Sequence, residues 1–188
     1  KLPMESKDLM RSQHFPTIKL QQLIFPPPGS PNRGAGEVWE WSNRQGWKII
    51  AGSQMAGPNG IVASSDGSTI FVAAYLGTSL TKLSRQNSSQ LIQVDSTYSI
   101  DNIRWSDEGE LLLAAHDRNC TPSQGCSIGI IDSPVTHLLK ANPENLNIET
   151  IRVIPSLDVF PIGTVVIDVD DEYWVGGIGG TDRIAIFR

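Results

Sequence analysis

Short stretches of apolar residues alternate with clusters of turn-forming residues along most of this chain. Stretches of four to eight residues rich in β-branched and aromatic side chains, bounded by Gly, Pro, Asn, Asp and Ser, are typical of strands. The pattern predicts strands at 36–41, 47–50, 60–64, 70–75, 79–84, 91–95, 102–105, 111–116, 127–131, 148–154, 163–169, 172–176 and 183–187. The pattern at residues 135–140 predicts one short helical turn, and no helix of ordinary length is predicted. The fold class expected from this pattern is all-β.

Two stretches of the chain repeat one pattern. The first begins at Pro58-Asn59-Gly60-Ile61 and the second at Ile100-Asp101-Asn102-Ile103. Each continues through a short strand, a turn ending in glycine, and a strand of small and apolar residues. The 43-residue spacing between Asn59 and Asn102 is typical of one β-propeller blade. We therefore expect a β-propeller, of which this chain supplies about three to four blades.

Polar residues open the first strand of each repeat. In a propeller the first strands line the central channel, so Asn59, Asp101 and Asn102 are expected to converge there from neighbouring blades. Their side-chain oxygens are hard ligands of the kind that Ca²⁺ takes, whereas a softer metal would prefer His or Cys. The pattern predicts a site for Ca²⁺ or another divalent cation.

Composition narrows the range of functions. The chain has 188 residues and a formal net charge of −5, with 15 basic residues that are scattered rather than clustered. A nucleic-acid-binding surface would need clustered Lys and Arg, so we expect no nucleic-acid partner. No apolar run of membrane-spanning length occurs in the sequence. A soluble protein acting on a small molecule fits this composition.

The repeated residues resemble a known family. Pro58-Asn59-Gly60-Ile61, followed by Ser65-Asp66-Gly67 and Phe71-Val72-Ala73, resembles a segment typical of the senescence-marker-protein-30/gluconolactonase superfamily. Asp101-Asn102-Ile103, followed by a glycine turn and a strand ending at His116, is closer to the paraoxonase/arylesterase branch. Strictosidine-synthase-like propellers share these motifs but do not always hold the metal. The resemblance covers about residues 36–188.

The resemblance implies a six-bladed propeller that holds a divalent cation, commonly calcium, in its channel. It implies a hydrolase of a lactone or ester, in which the metal polarises the carbonyl group. Asn59 corresponds to the channel asparagine, Asp101 to the carboxylate ligand and Asn102 to the neighbouring amide ligand. The family also uses a Glu and a further Asn that cannot be placed in this sequence.

Asp101 and His116 are the candidate catalytic residues. Asp101 is the one carboxylate in the candidate set, so it could bind the metal and also serve as base or nucleophile. His116 could orient a substrate or transfer a proton. These roles remain open at the level of sequence.

Each candidate also has a structural interpretation. Asn-Gly is a common turn pair, so Asn59 could simply reverse the chain. Asp101 and Asn102 could hydrogen-bond locally to the backbone. His14 and His137 are expected in solvent, and the five tryptophans are expected to pack between blades. The rival function is a non-catalytic or strictosidine-synthase-like propeller that acts as a binding module.

The proline-rich stretch Phe25–Pro31 predicts that residues 1–35 form an irregular segment between blades, followed by a single domain over 36–188. Two complete and two partial blades are too few to close a propeller. Either this chain is a C-terminal fragment whose N-terminal half lies upstream, which we expect, or it assembles with another copy. Cys120 and Cys126 bracket a turn and could form a disulfide, which would favour a secreted or periplasmic protein.

Overall fold

The computed structural model describes residues 35–117, 135–158, 160–178 and 183–188. Residues 34–188 belong to one compact unit. Every regular element in the described ranges is a strand, and no helix there is long and apolar enough to cross a membrane. The predicted all-β class is confirmed. The strands are β1 (Ala35–Gly36), β2 (Trp39–Ser42), β3 (Gly46–Ile49), β4 (Met55–Ala56), β5 (Pro58–Ala63), β6 (Thr69–Ala74), β7 (Ser79–Ser84), β8 (Leu91–Asp95), β9 (Ser99–Trp105), β10 (Leu111–His116), β11 (Thr136–Ala141), β12 (Ile148–Ile154), β13 (Ile162–Val169), β14 (Glu172–Ile178) and β15 (Ala185–Phe187).

The strands form antiparallel sheets in which each strand pairs with its neighbour in sequence, except that β1 pairs with β4. β5-β6-β7-β8 and β9-β10-β11-β12 are four-stranded, β13-β14-β15 is three-stranded, and β2-β3 and β1-β4 are two-stranded. The two sequence repeats therefore become two sheets of the same order. Their first hairpins close alike, with Gly67 and Gly109 at positive φ and each donating its N–H to a serine carbonyl three residues back.

One predicted element is wrong. Residues 135–140 were expected to form a helical turn, but Thr136–Ala141 is strand β11, paired along its whole length with β10. Its partner strand is buried on both faces, so an apolar stretch such as Leu138-Leu139 is more stable as a paired central strand than as an isolated helical turn. The strand predicted at 127–131 lies outside the described residues.

The core lies between the faces of successive sheets. β10 contributes to both sides: Leu111, Leu113 and Ala115 pack towards β6 and β7, while Leu112 and Ala114 pack towards β13 and β14. Its five apolar residues are all buried, so it is a continuous apolar run rather than an alternating one. The sheets thus follow one another as layers, each covering the next.

The first strands of the three larger sheets lie side by side. Gly60 of β5 sits directly on β9, where an added Cβ would come within 2.5 Å of the Asp101 carbonyl oxygen and 2.8 Å of the Asn102 Cα. β9 in turn lies against β13, where the Asn102 side chain reaches the carbonyl of Thr164. This close approach brings the strand-opening polar residues of the repeats together.

The tryptophans differ from one another in their surroundings. Trp105 packs edge-on against Phe71 with ring centroids 5.3 Å apart, as expected for a residue between sheets. Trp39, Trp41 and Trp47 are instead exposed on the β2-β3 hairpin. The prediction that all the tryptophans pack between blades is therefore wrong for these three within the described chain.

A propeller requires that these antiparallel sheets be arranged as blades around one axis. That arrangement stays a prediction.

We expect Gly60→Ala to lower the free energy of unfolding by about 1–3 kcal/mol, because the new methyl group would force β5 away from the backbone of β9. Urea unfolding measures this change. Gly109→Asn is the matched control: nothing lies within 4 Å of an added Cβ there, and Asn tolerates positive φ. Equal losses in the two variants would contradict the close contact.

Candidate functional site

Asp101 is the centre of a small polar cluster on the first strands of the sheets. Nδ2 of Asn102 donates to Oδ1 of Asp101 over 3.0 Å and also to the Thr164 carbonyl over 2.9 Å. The Asn59 side chain hydrogen-bonds to the Asp101 carboxyl group from the neighbouring sheet. The structure thus brings Asn59, Asp101 and Asn102 together, across two sheets and against a third.

Asn59 does not form a turn. It lies inside strand β5, with the following Gly60 buried against β9. The structural alternative in which Asn59-Gly60 reverses the chain is therefore wrong. Glycine is needed here because two backbones approach closely, and the asparagine before it is left at the exposed edge of that contact.

Burial shifts the protonation of Asp101. Loss of water around the carboxyl group raises its pKa from 3.8 to about 6, and the hydrogen bond from Asn59 opposes only part of this shift. Among the described residues, no cationic side chain contributes to this shift. The carboxylate is thus held by neutral amides, and a bound proton or a metal cation would stabilise it.

The donor atoms of this cluster fit a hard cation. One carboxylate and two carboxamides can present oxygen ligands, the kind that Ca²⁺ prefers. Over the described ranges, no group of three or more His, Cys, Asp or Glu residues is placed to hold a metal. The cluster therefore suits an oxygen-ligated ion and lacks the nitrogen and sulfur ligands typical of zinc.

His116 lies at the same end of the sheets but is enclosed. Its side chain is 1% exposed, and its Nε2 donates to the Gly163 carbonyl over 2.7 Å. Burial lowers the pKa of this imidazole, so it is neutral near pH 7, with the proton on Nε2. Nδ1 is buried without a hydrogen-bond partner in the described part of the protein.

Tyr75 connects His116 with Asp101, and sequence reasoning did not single it out. Its ring centroid lies 5.8 Å from that of His116. Burial and then the negative charge of Asp101 raise the pKa of its phenol, so the hydroxyl stays protonated and available as a donor. Tyr75 directly follows strand β6, and Ala73-Ala74-Tyr75 of the first repeat corresponds to Ala114-Ala115-His116 of the second, which was the signal that could have identified it.

Thr164 is a second residue that sequence reasoning missed. Its carbonyl accepts the hydrogen bond from Asn102, and its side chain is buried. It lies near the start of β13 as Asn59 and Asn102 lie near the starts of β5 and β9. The signal that could have identified Thr164 is a polar residue near the start of the first strand of the third large sheet.

His137 was expected in solvent, and this is wrong. It is buried in β11, with Nε2 hydrogen-bonded to Oδ1 of Asp117 over 2.8 Å. The Tyr98 ring stacks on it with centroids 3.9 Å apart. The His137 ring is buried rather than exposed because residues 136–141 form a central strand and not a helical turn. His14, Cys120 and Cys126 lie outside the described residues.

Comparison with known proteins identifies no family for this chain: no family model and no curated protein sequence matches it. Among solved structures, it is similar to a candidate 6-phosphogluconolactonase from Bacteroides uniformis, with 10% sequence identity and a TM-score of 0.36. The alignment covers 77% of this chain and 58% of that protein. A TM-score of this size does not establish a shared fold.

The raised pKa of Asp101 predicts a pH-dependent stability in the presence of a chelator. The folded state binds a proton at about pH 6, whereas an unfolded Asp binds it only near pH 3.8. The free energy of unfolding should therefore decrease as the pH rises through that window, because the folded carboxylate loses its proton at a cost. Urea unfolding across the window checks this.

Asp101→Asn should remove this part of the pH dependence, since the amide does not titrate. Asp171→Asn is the control, because Asp171 is exposed in the turn between β13 and β14. An Asp101→Asn profile with the same slope as the parent protein would contradict the assignment of the shift to Asp101.

Proposed function

We propose that this protein is a calcium-dependent hydrolase of a lactone or ester. The observation that carries the proposal is the half-buried carboxylate of Asp101, held by the amides of Asn59 and Asn102, while no cationic side chain in the described part of the chain contributes to its pKa shift. A buried charge in such surroundings calls for a counter-charge. The identity of the donor atoms makes an oxygen-ligated divalent cation the best counter-charge.

In this proposal Asp101 supplies the charged ligand, and Asn59 and Asn102 supply neutral oxygen ligands. When bound, the cation polarises the substrate carbonyl and stabilises the oxyanion that forms on it. Asn102 also fixes the position of Asp101, because its Nδ2 donates hydrogen bonds to that carboxylate and to the Thr164 carbonyl. Its Oδ1 is therefore oriented away from these two contacts.

In this proposal His116 supports the site in two ways. Its hydrogen bond to Gly163 holds the start of β13, directly before the Thr164 carbonyl that orients Asn102. This bond also keeps the proton on Nε2, which leaves Nδ1 as the basic nitrogen for proton transfer. The Tyr75 hydroxyl is the nearby donor that could orient a substrate oxygen.

The six-bladed propeller of the senescence-marker-protein-30/gluconolactonase superfamily is the architecture we propose around this site. The support is the pair of sheets with the same strand order, whose first strands lie side by side. In that architecture further ligands come from other blades. The substrate would be a small lactone or ester that enters along the first strands.

The alternative is a binding module without catalysis. One observation favours it: Nδ1 of His116 is enclosed, so a substrate reaches this atom only if neighbouring side chains move. Metal binding and hydrolysis therefore need to be measured separately, since a binding module could retain the first without the second.

Asp101→Ala should weaken Ca²⁺ binding by more than about 100-fold, because removal of even an outer-sphere partner of a metal ligand costs 10–100-fold. Calorimetric titration with Ca²⁺ measures the affinity, and hydrolysis rates for a lactone and an aryl ester measure activity. Asn102→Ala should cost less, because it removes a neutral dipole rather than a charge.

Asp171→Ala is the control for charge alone, since it removes one exposed carboxylate from the same molecule. Normal calcium affinity and normal activity in Asp101→Ala would refute the proposed chemistry. Calcium binding lost in Asp101→Ala, with no hydrolysis in the parent protein, would support the binding-module alternative.

His116→Gln tests proton transfer by His116. The Gln amide can still donate to the Gly163 carbonyl but cannot transfer a proton at neutral pH. We expect kcat to fall about 10²-fold or more, the usual contribution of a general acid or base, with calcium affinity unchanged. An unchanged kcat would restrict His116 to positioning β13.

A further inference from the structure

The two sequence repeats each place a ring at the same end of their sheets. Tyr75 follows β6 and His116 ends β10, at matching positions of the repeats. The register pairs the residue before Tyr75 with Pro58 and the residue before His116 with Ile100, so each ring lies at the end where the first strand begins. The two ring centroids are 5.8 Å apart. The polar cluster around Asp101 therefore has a phenol and an imidazole beside it.

The turn that follows β6 fixes the position of Tyr75. The Tyr75 N–H donates to the Gly57 carbonyl over 2.8 Å, which ties the residue to the strand pair at its own end. Thr78 is buried at φ 47°, a conformation that β-branched residues rarely adopt, and its carbonyl accepts a hydrogen bond from the Ser96 N–H over 2.7 Å. Backbone held in such a conformation by its surroundings is typical of functional sites.

Within the described ranges, the Tyr75 hydroxyl makes no hydrogen bond, yet it is not enclosed. The polar side-chain atoms that are both enclosed and unpartnered there belong to Thr81, His116 and His137. Tyr75 is partly buried, so its ring is held by the protein while the hydroxyl reaches solvent. A hydroxyl that is fixed, accessible and unused by the described residues is available to a bound molecule.

Hydrolysis of a lactone or ester benefits from a group that gives a proton to the leaving oxygen. His116 does not supply it from Nε2, because that proton is donated to the Gly163 carbonyl. The amides of the cluster donate hydrogen bonds without giving up a proton, and Asp101 is the charged ligand in the proposed function. Burial, followed by the negative charge of Asp101, raises the pKa of the Tyr75 phenol, so the hydroxyl keeps its proton at neutral pH.

We infer that Tyr75 gives its proton to the leaving oxygen in the hydrolysis proposed above, on which this inference rests. Water adds to the carbonyl carbon and passes one proton to a base, and the bond between that carbon and the leaving oxygen breaks. The leaving oxygen keeps the electron pair and takes the phenol proton. The phenolate regains a proton from solvent, and the base releases its own. A lactone thus opens to a hydroxy acid, and an ester gives an acid and an alcohol.

This role determines which substrates depend on Tyr75. An alkoxide is a far stronger base than a phenolate, so an aliphatic lactone or an alkyl ester needs the proton as its bond breaks. A para-nitrophenolate is a weak base and leaves without a proton. The site is therefore suited to lactones and alkyl esters, whose leaving oxygen is aliphatic.

Tyr75→Phe tests the inference, because it removes the hydroxyl and keeps the ring. For an aliphatic lactone and an ethyl ester, kcat should fall about 10²-fold or more, the usual contribution of a general acid. For the para-nitrophenyl ester of the same acid, kcat should stay nearly unchanged, and calorimetric titration should give an unchanged calcium affinity. The ratio of the two ester rates does not depend on how much of the variant is folded, so lower stability does not obscure the result.

Tyr173→Phe is the matched control. It also removes one phenolic hydroxyl, but Tyr173 pairs with Asp168 beside the turn between β13 and β14, at the other end of the last sheet from Thr164. Its rates for all three substrates should equal those of the parent protein.

The possible failures of this test are distinguishable. Equal losses for the ethyl and para-nitrophenyl esters in Tyr75→Phe would overturn the inference and restrict Tyr75 to orienting the substrate. Unchanged rates for both esters would overturn it by removing Tyr75 from the reaction. Either result leaves the proposed hydrolase standing, whereas no hydrolysis by the parent protein would overturn the proposed function and this inference together.

Discussion

The close contact between the first strands of neighbouring sheets is the constraint on which the rest of this structure depends. Where β5 meets β9, Gly60 has no room for a side chain, so the two backbones touch. This contact places Asn59 beside Asp101, although the two residues are 42 positions apart in the chain. On the other side, Asn102 joins β9 to β13 through the Thr164 carbonyl. The candidate site is a consequence of how tightly the first strands pack.

The same contact gives the site its electrostatic character. Tight packing removes water from around Asp101, and this raises the pKa of its carboxyl group. The groups that take the place of the water are neutral amides. His116 is enclosed by the same packing and is held neutral. The site therefore combines an under-compensated carboxylate with an uncharged imidazole, a combination suited to binding a cation and handling a proton.

Packing between sheets also explains which sheet faces are buried and which are exposed. Inside the row every sheet is covered by another, and β10 is apolar on both sides for that reason. The β2-β3 hairpin and the last sheet each have only one neighbouring sheet among the described residues, and exposed apolar side chains lie on their other faces.

The sequence by itself determined the all-β class, most strand positions and the equivalence of the two repeats, because strand periodicity and glycine turns are local properties. It also selected Asn59, Asp101 and Asn102 for one site. Tertiary structure alone decided that residues 136–141 form a strand, since a short apolar stretch takes the conformation its neighbours can pair with. It likewise decided that His137 is buried and that Tyr75 and Thr164 join the site, because burial and proximity arise from contacts between residues far apart in the chain.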